Sequence, residues 1–488
     1  MLLKLLVHLP FNGRYGYHAD ELLYMAMADQ LAWGYKEGPP LISFITWAVL
    51  QVSENSLWVL RLLPTVSGAV LVGLTGWITV LLGGGPRAVL IACTAILLDP
   101  SFLATGYMMQ PVIFDQLSWA LSCLFLIRFI KSAEWINLLY LGITVGLGMM
   151  NKFSIAVYLF SLLAAVIMQN RRALSWKGLL LVFLPALIIV FPHVLWQVHQ
   201  GFPFVDQMGE LEKYYWSKTD YPTLIKQLVL AHGLSGLVWI TGLVCILAGS
   251  ARLRAYRFVG LSFLLLQLVF LYLQAKTYYS FGAFPALYAV GAIFIAHQLD
   301  VWKKNLVTNG FFVMIVVSGL LALPAVVPVL PIHDTVAWLE AMKRHTAITG
   351  PLQWDDGRVH RLPQYFAQML GWEELAARTV GVLRSLPESK RSRALILTDN
   401  YQQAGAIAFY AKEEVPGMAS IRPSFFSQSN AQHAAAEYTI RVTSGRGQGS
   451  GIPAGLVSSH RIEYPNAEVN GSVIYLIRRT GILAYRSP

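Results

Sequence analysis

The sequence predicts a polytopic α-helical membrane protein of about eleven spans, followed by a small C-terminal α/β domain. Three observations carry this. Charged residues make up 13% of the 488, and the mean hydropathy is +0.53; a soluble chain averages about 25% charged. Apolar runs long enough to cross a bilayer recur from Leu57 to Val329. The composition then changes at Pro328–Pro331, and His333–Pro488 is an ordinary soluble mixture. The expected domains are residues 1–330, with an outer loop over 12–40, and residues 331–488.

Met1–Phe11 is apolar but shorter than the roughly 20 residues of a spanning helix, so either the segment ends early or the chain starts upstream. No cleavable signal peptide is expected. From Asp20 the chain reads as a short helix lying on the bilayer, with Leu22, Leu23, Met25, Met27 and Leu31 as its apolar surface. Pro39-Pro40 ends the loop and opens a second interfacial helix, Leu41–Val52, because proline suits a helix's first turn. Leu57–Leu82 is the first full span, closed by Gly83–Arg87. Further spans are predicted at Val89–Ala104, Val112–Ile130, Ile136–Met150, Phe153–Met168, Gly178–Gln197, Leu224–Ala248, Phe258–Gln274, Phe281–His297 and Gly310–Val329. In the soluble part Val336–Arg344, Gln364–Leu386 and Ala404–Tyr410 read as helices. Ala394–Thr398, Glu437–Val442 and Ser472–Arg478 read as strands, and Ser444–Gly451 as a Gly/Ser-rich loop.

The net charge of +11 is distributed by side rather than along a nucleic-acid-binding face. One set of loops holds Arg87, Arg128, Lys131, Arg171, Arg172, Lys177, Arg252, Arg254, Arg257, Lys303 and Lys304, offset only by Glu134 and Asp300. The alternate set carries the Asp20 loop, Asn151-Lys152, the acidic Gly201–Pro222 loop and Lys276. Cytoplasmic loops collect Lys and Arg. The first set is therefore cytoplasmic together with the N-terminus, and the Asp20 loop and the C-terminal domain face outward. Cys93, Cys123 and Cys245 lie in apolar runs without metal or redox spacing.

The most polar stretch of the apolar half runs from Tyr15 to Leu41. It places Asp20 and Glu21 in a first helical turn, where the dipole favours acids, and nothing in residue chemistry alone separates that role from catalysis. The pattern Tyr17-x-x-Asp20-Glu21-x-x-Tyr24, then Gly34-Tyr35 and Pro39-Pro40-Leu41, resembles the first outer loop of glycosyltransferase family 39. This family includes protein mannosyltransferase and aminoarabinose transferase relatives with the C-type membrane fold. The resemblance implies Asp20 as catalytic base, with Glu21 beside it and Tyr24 positioning the acceptor.

Further stretches extend the resemblance over nearly the whole chain. Gln110–Trp119 resembles the family's second acid, here Asp115, with Asp99 a competitor for that role. Lys276-Thr-Tyr278-Tyr279 is similar to its basic residue and paired tyrosines near the lipid phosphate. Lys152 and Lys276 are otherwise snorkelling anchors. As cations on the charge-poor side they point to an anionic ligand, to which Lys36 and Arg14 could add. Pro192–Gln197 resembles the lead into the long outer loop and makes Trp196 and Gln197 acceptor-positioning candidates. Tyr365–Glu374 and Asn400–Ile407 look like a bacterial branch of the family. The segment after Pro423 lacks the aromatic cluster expected there.

His18, His193, His199 and Glu37 have no metal-ligand spacing, so no cofactor is expected and a divalent metal is not indicated. The resulting expectation is a multi-pass glycosyltransferase of the bacterial inner membrane, inverting at the anomeric carbon. It would use a polyprenyl-phosphate sugar donor and a lipid, glycan or protein acceptor on the outer face, among membrane lipids and without nucleic acid. A transporter or flippase with an outer receptor domain is the alternative. Such folds show internal repeats and helices broken near mid-membrane, whereas this chain gathers its charges at one face.

Overall fold

A computed structural model describes residues 1–171, 173–214, 220–249, 251–302, 305–346, 348–415, 418–420, 436–444 and 454–478. Arg172, Lys303 and Lys304 of the basic loops, the stretch after Pro423 and most of the Ser444–Gly451 loop lie outside the described residues. The chain forms two compact units. The first comprises Met1–Gly13, Gly38–Ile42 and Trp58–Leu330, the second Arg14–Glu37, Ser43–Leu57 and Pro331–Pro488.

The first unit is helical and polytopic in character. Among the described residues five helices are long and apolar enough to cross a membrane: Leu57–Leu81, Pro111–Ser132, Trp176–His199, Leu253–Tyr272 and Thr277–Val301. Small residues bring helices to backbone contact, as is usual in membrane bundles. A Cβ added at Gly291 would run into the Val238 carbonyl, and one at Gly242 into that of Leu287. Either substitution would push the Gly236–Leu247 and Phe284–Trp302 helices apart.

Two predicted spans are broken, for local reasons. The run over 89–104 divides into Pro86–Leu97 and Pro100–Thr105, because Pro100 has no N–H for the ladder and disfavours helical geometry at Asp99. Asp99 instead caps the second piece, its Oδ1 accepting the Ser101 N–H at 2.8 Å. The run over 224–248 bends by 94° between Tyr221–Leu230 and Gly233–Leu247, at Gly233 with φ +52. The two breaks are joined. His232 Nδ1 meets Asp99 Oδ2 at 2.7 Å, the Tyr288 hydroxyl donates to the same oxygen, and Ser101 Oγ donates to the Ala231 carbonyl at 2.8 Å. Asp99, His232 and Tyr288 are wholly buried.

The second unit holds a five-stranded mixed sheet among the described residues. In chain order the strands are β1 (Ala394–Thr398), β2 (Met418–Ser420), β3 (Tyr438–Thr443), β4 (Leu456–Arg461) and β5 (Val473–Arg478), in the spatial order β2-β1-β3-β5-β4. β1 pairs in parallel with β2 and β3, while β5 is antiparallel to β3 and β4. The central Ala-Leu-Ile-Leu-Thr run of β1 is buried throughout, as a parallel strand covered on both faces requires. The helix predicted over 364–386 is two pieces, Gln364–Ala367 and Trp372–Arg384. Gly371 between them has φ +79, and a side chain there would meet Val469 Cγ2 at 2.5 Å.

The polar loop belongs to this second unit up to Glu37. Its helix is Ala19–Ala28, but Leu22, Leu23, Met25 and Met27 are buried in protein instead of forming a lipid-facing surface. An amphipathic pattern reports that a face is covered, not what covers it. The partner includes the Tyr401–Tyr410 helix, whose Gly405 lies against Leu22 and Leu23.

Candidate active site

Two acid-centred groups of side chains stand out, one in each unit. In the second unit the Ala19–Ala28 helix begins with a reciprocal cap. His18 Nδ1 accepts the Asp20 N–H at 3.1 Å, and Glu21 Oε2 accepts the His18 N–H at 2.8 Å. With Nδ1 accepting, the imidazole proton is on Nε2, which faces Gln368 Oε1 at 3.1 Å. The Gln368 carbonyl also accepts the Ala19 N–H at 3.0 Å. Glu21 is completely buried in this cap, whereas the Asp20 side chain is 27% exposed. The Tyr401 hydroxyl donates to Asp20 Oδ1 at 2.9 Å. Adjacent acids thus have separate settings, one enclosed and one open to solvent.

The rest of the loop frames that carboxylate. Tyr24 packs beside Leu23, Met27 and Tyr35. The Tyr35 hydroxyl accepts the Ala32 N–H at 3.1 Å and lies 3.0 Å from the carbonyls of Met27 and Gln30, so it ties off the turn after the helix. Burial raises the Tyr35 phenol above its ordinary value, which keeps this hydroxyl protonated. Lys36 is half-buried on the same loop.

In the first unit Asp115 lies in the opening turns of Pro111–Ser132. Its Oδ1 accepts from Trp119 Nε1 at 2.8 Å and its Oδ2 from Ser154 Oγ at 2.9 Å. Trp119 is fixed in turn by stacking on Tyr158, with centroids 4.4 Å apart. Asn151 Nδ2 donates to the Pro111 carbonyl at 2.9 Å, holding the Lys152 turn to the same helix start. Lys152 is in electrostatic reach of Asp115. Its Nζ lies 4.7 Å from the ring centroid of Tyr278 and 4.0 Å from that of Tyr279. The lysine and tyrosines singled out in the sequence, more than a hundred positions apart, therefore form one cluster with the acid. Lys276 lines a shallow cleft with Gln267, Thr277 and Ser280 over apolar walls from Leu224 and Phe270.

Trp196 and Gln197 lie in the last turn of the Trp176–His199 helix. Trp196 stacks on His193 with centroids 6.0 Å apart, Gln197 Nε2 meets His193 Nε2 at 3.3 Å, and Gln197 Oε1 accepts the Phe204 N–H at 3.3 Å. These contacts hold the entry to the long loop. Among the described residues no group of three His, Cys, Asp or Glu side chains is placed to hold a metal. Asp99 is the N-cap already described. Sequence reasoning missed its pairing with His232, and missed Tyr401, although Asn400-Tyr401 was part of a recognised stretch.

Residues 37–196 match the family described as dolichyl-phosphate-mannose-protein mannosyltransferase. The match begins after Asp20 and Glu21 and includes Asp115 and Lys152. The structure is similar to the crystal structure of ArnT from Cupriavidus metallidurans in the apo state. The TM-score is 0.59 at 14% identity, over 96% of this chain and 93% of that one. No curated protein sequence matches. The recognition drawn from the sequence holds at this level: residues 37–196 match the mannosyltransferase family in sequence, and the fold is similar to that of ArnT over nearly the whole length.

Proposed function

We propose, from that relationship, that the chain transfers a sugar from a polyprenyl-phosphate donor to a hydroxyl of an envelope lipid, glycan or protein. The observation that carries the reading is the Asp20 carboxylate, partly exposed and held by a hydroxyl while its neighbour Glu21 is sealed in a cap. Asp20 takes the acceptor's hydroxyl proton. The acceptor oxygen bonds to the anomeric carbon as the bond from that carbon to the phosphate oxygen breaks, with inversion. The electron pair leaves on the polyprenyl phosphate, whose charge Lys152 and Lys276 offset. Asp115 orients Lys152, and Tyr278 and Tyr279 seat it. No cofactor enters this scheme.

Reaction at the outer face of a bacterial inner membrane follows from the one-sided basic loops. The five long helices, the bent pair and five of the shorter apolar helices make about eleven crossings. Leu41–Ser53 is left at the interface, and residues 331–488 are an outer domain. A cysteine placed at Gly209 should react with a membrane-impermeant thiol reagent in intact cells, and one at Ala173 only after lysis. The opposite pattern overturns the orientation.

The reaction is tested with labelled lipid-linked sugars extracted from the parent strain and membranes of a deletion strain carrying wild-type or variant protein. Asp20→Asn keeps the size of the side chain but removes the base, so transfer should fall about 10²–10⁴-fold at matched expression. Near-normal transfer sinks the assignment. The helix breaks at Asp99 and His232 favour a second reading, a lipid or solute transporter. That reading makes movement of substrate depend on the Asp99–His232 pair and leaves Asp20 dispensable.

A further inference from the structure

Asp20 and Tyr401 are 381 residues apart in the chain, yet they meet at the matching ends of two packed helices. Tyr401 reaches Asp20 at 2.9 Å, Gly405 lies against Leu22 and Leu23, and Lys412 Nζ meets Asp29 Oδ2 at 2.5 Å. Tyr17, just before the first helix, meets Phe409 near the end of the second with ring centroids 4.9 Å apart, so Ala19–Ala28 and Tyr401–Tyr410 cross with Gly405 at the contact. The buried positions of Tyr401–Tyr410 are Gln403, Ala404, Gly405, Ala406 and Ile407, and it is Gly405, without a side chain, that permits the close approach to Leu22 and Leu23. Tyr401 itself packs against the Leu23, Met27 and Tyr35 cluster.

Tyr401 is also fixed from behind. β1 ends at Thr398, whose hydroxyl donates to the Asn400 carbonyl at 3.1 Å. Asn400 Oδ1 accepts the Gln403 N–H at 3.0 Å, capping the helix, and Gln403 Oε1 accepts the Asp399 N–H at 3.0 Å. The Asp399 N–H also reaches the Val442 carbonyl of β3 at 3.0 Å. A strand-to-helix turn anchored at this many points presents the phenol from a rigid support, as a group that must orient a reacting side chain requires.

We infer that Tyr401 is a positioning residue for the Asp20 base, so that the C-terminal segment contributes directly to the active site. The inference rests on the reading of Asp20 given above. A phenol donating to one carboxylate oxygen selects one rotamer of a partly exposed side chain. It thereby fixes the direction from which the carboxylate can accept a proton, and misdirection of a base costs turnover without altering substrate affinity.

The test is Tyr401→Phe, which keeps the ring in its cluster and removes only the hydroxyl. With the extracted lipid-linked sugars as donor, kcat should fall about 10- to 100-fold, the loss expected for one hydrogen bond to a charged group. The apparent KM for the extract should be unchanged. In the Asp20→Asn background the same substitution should cost nothing further, because there is no base left to orient. Thermal unfolding is followed in parallel, and rates are compared per folded enzyme below both midpoints. Unchanged kcat in Tyr401→Phe overturns the inference while leaving Asp20 as base if Asp20→Asn is inactive. Full additivity of the two substitutions, or a loss confined to stability, overturns it as well. An active Asp20→Asn overturns the reading of the base itself.

Discussion

Asp20 and Asp99 are made of the same parts. Each lies at the start of a short helix, each accepts from a tyrosine hydroxyl distant in sequence, and each has a histidine beside it. Their settings are opposite. Asp99 is fully buried with Ser101, His232 and Tyr288 all directed onto it, whereas Asp20 is 27% exposed and the histidine nitrogen near it is already an acceptor from the backbone. An enclosed, multiply held carboxylate stabilises a fold, because its protonation or movement would strand its donors. A carboxylate that is oriented and partly exposed can meet a substrate. Residue type and helix position do not separate the two; exposure does.

The strongest way to break this comparison is at Asp99. Asp99→Ala leaves His232 and Tyr288 buried without their acceptor, and removing one member of a buried pair costs about 3–5 kcal/mol. The detergent-solubilised variant should unfold at markedly lower temperature. Its transfer rate per folded molecule should stay within a few-fold of wild type. Lost transfer at unaltered stability would make Asp99 a participant in chemistry and would favour the transporter reading.

A smaller effect sharpens the comparison at the third acid. Asp115 is buried like Asp99 but stands beside a cation, Lys152, that covers two tyrosine rings. Lys152→Met keeps the apolar stem over those rings and removes the charge. Donor affinity should drop by about 1.5–3 kcal/mol, the contribution of one charge-assisted hydrogen bond. Competition by unlabelled lipid-linked sugar measures it. Unaltered affinity would return Lys152 to a membrane anchor and place Asp115 with Asp99 among structural acids.

What could be read from the sequence divides along the same line between local and distant. The Ala19–Ala28 helix followed from acids ahead of an apolar run, and β1 from a short Leu/Ile block bounded by turn residues. Pro100 and Gly233 were visible as helix breakers, yet apolar composition on both sides carried the predicted spans across them. β2, three residues long, and β4, Ser-rich with mostly exposed side chains, show no buried period to detect. Asp20, Asp115 and the paired tyrosines were chosen by resemblance, and Lys152 as a cation on the charge-poor side. The pairing of Asp20 with Tyr401 and of Asp99 with His232 could not be, since each joins elements more than a hundred residues apart and no local pattern encodes such a contact.

The smallest expected effect is at Glu21, and it asks whether adjacent acids really have separate duties. Glu21 Oε2 serves the His18 N–H, and successive helix residues point about 100° apart, so Glu21 does not share Asp20's direction. A glutamine at the third helical position closes the same cap. Glu21→Gln should therefore leave stability within about 1 kcal/mol of wild type and transfer within a few-fold. Glu21→Ala opens the cap and should cost about 0.5–2 kcal/mol, with transfer falling only as far as Asp20 is misplaced. The informative quantity is the ratio of the two variants. If both lose transfer equally and as severely as Asp20→Asn, the charge of Glu21 is used in the reaction and the division between a capping acid and a catalytic acid fails. If glutamine preserves transfer while alanine lowers it modestly, Glu21 acts through the helix start, and the base is the residue that Tyr401 holds.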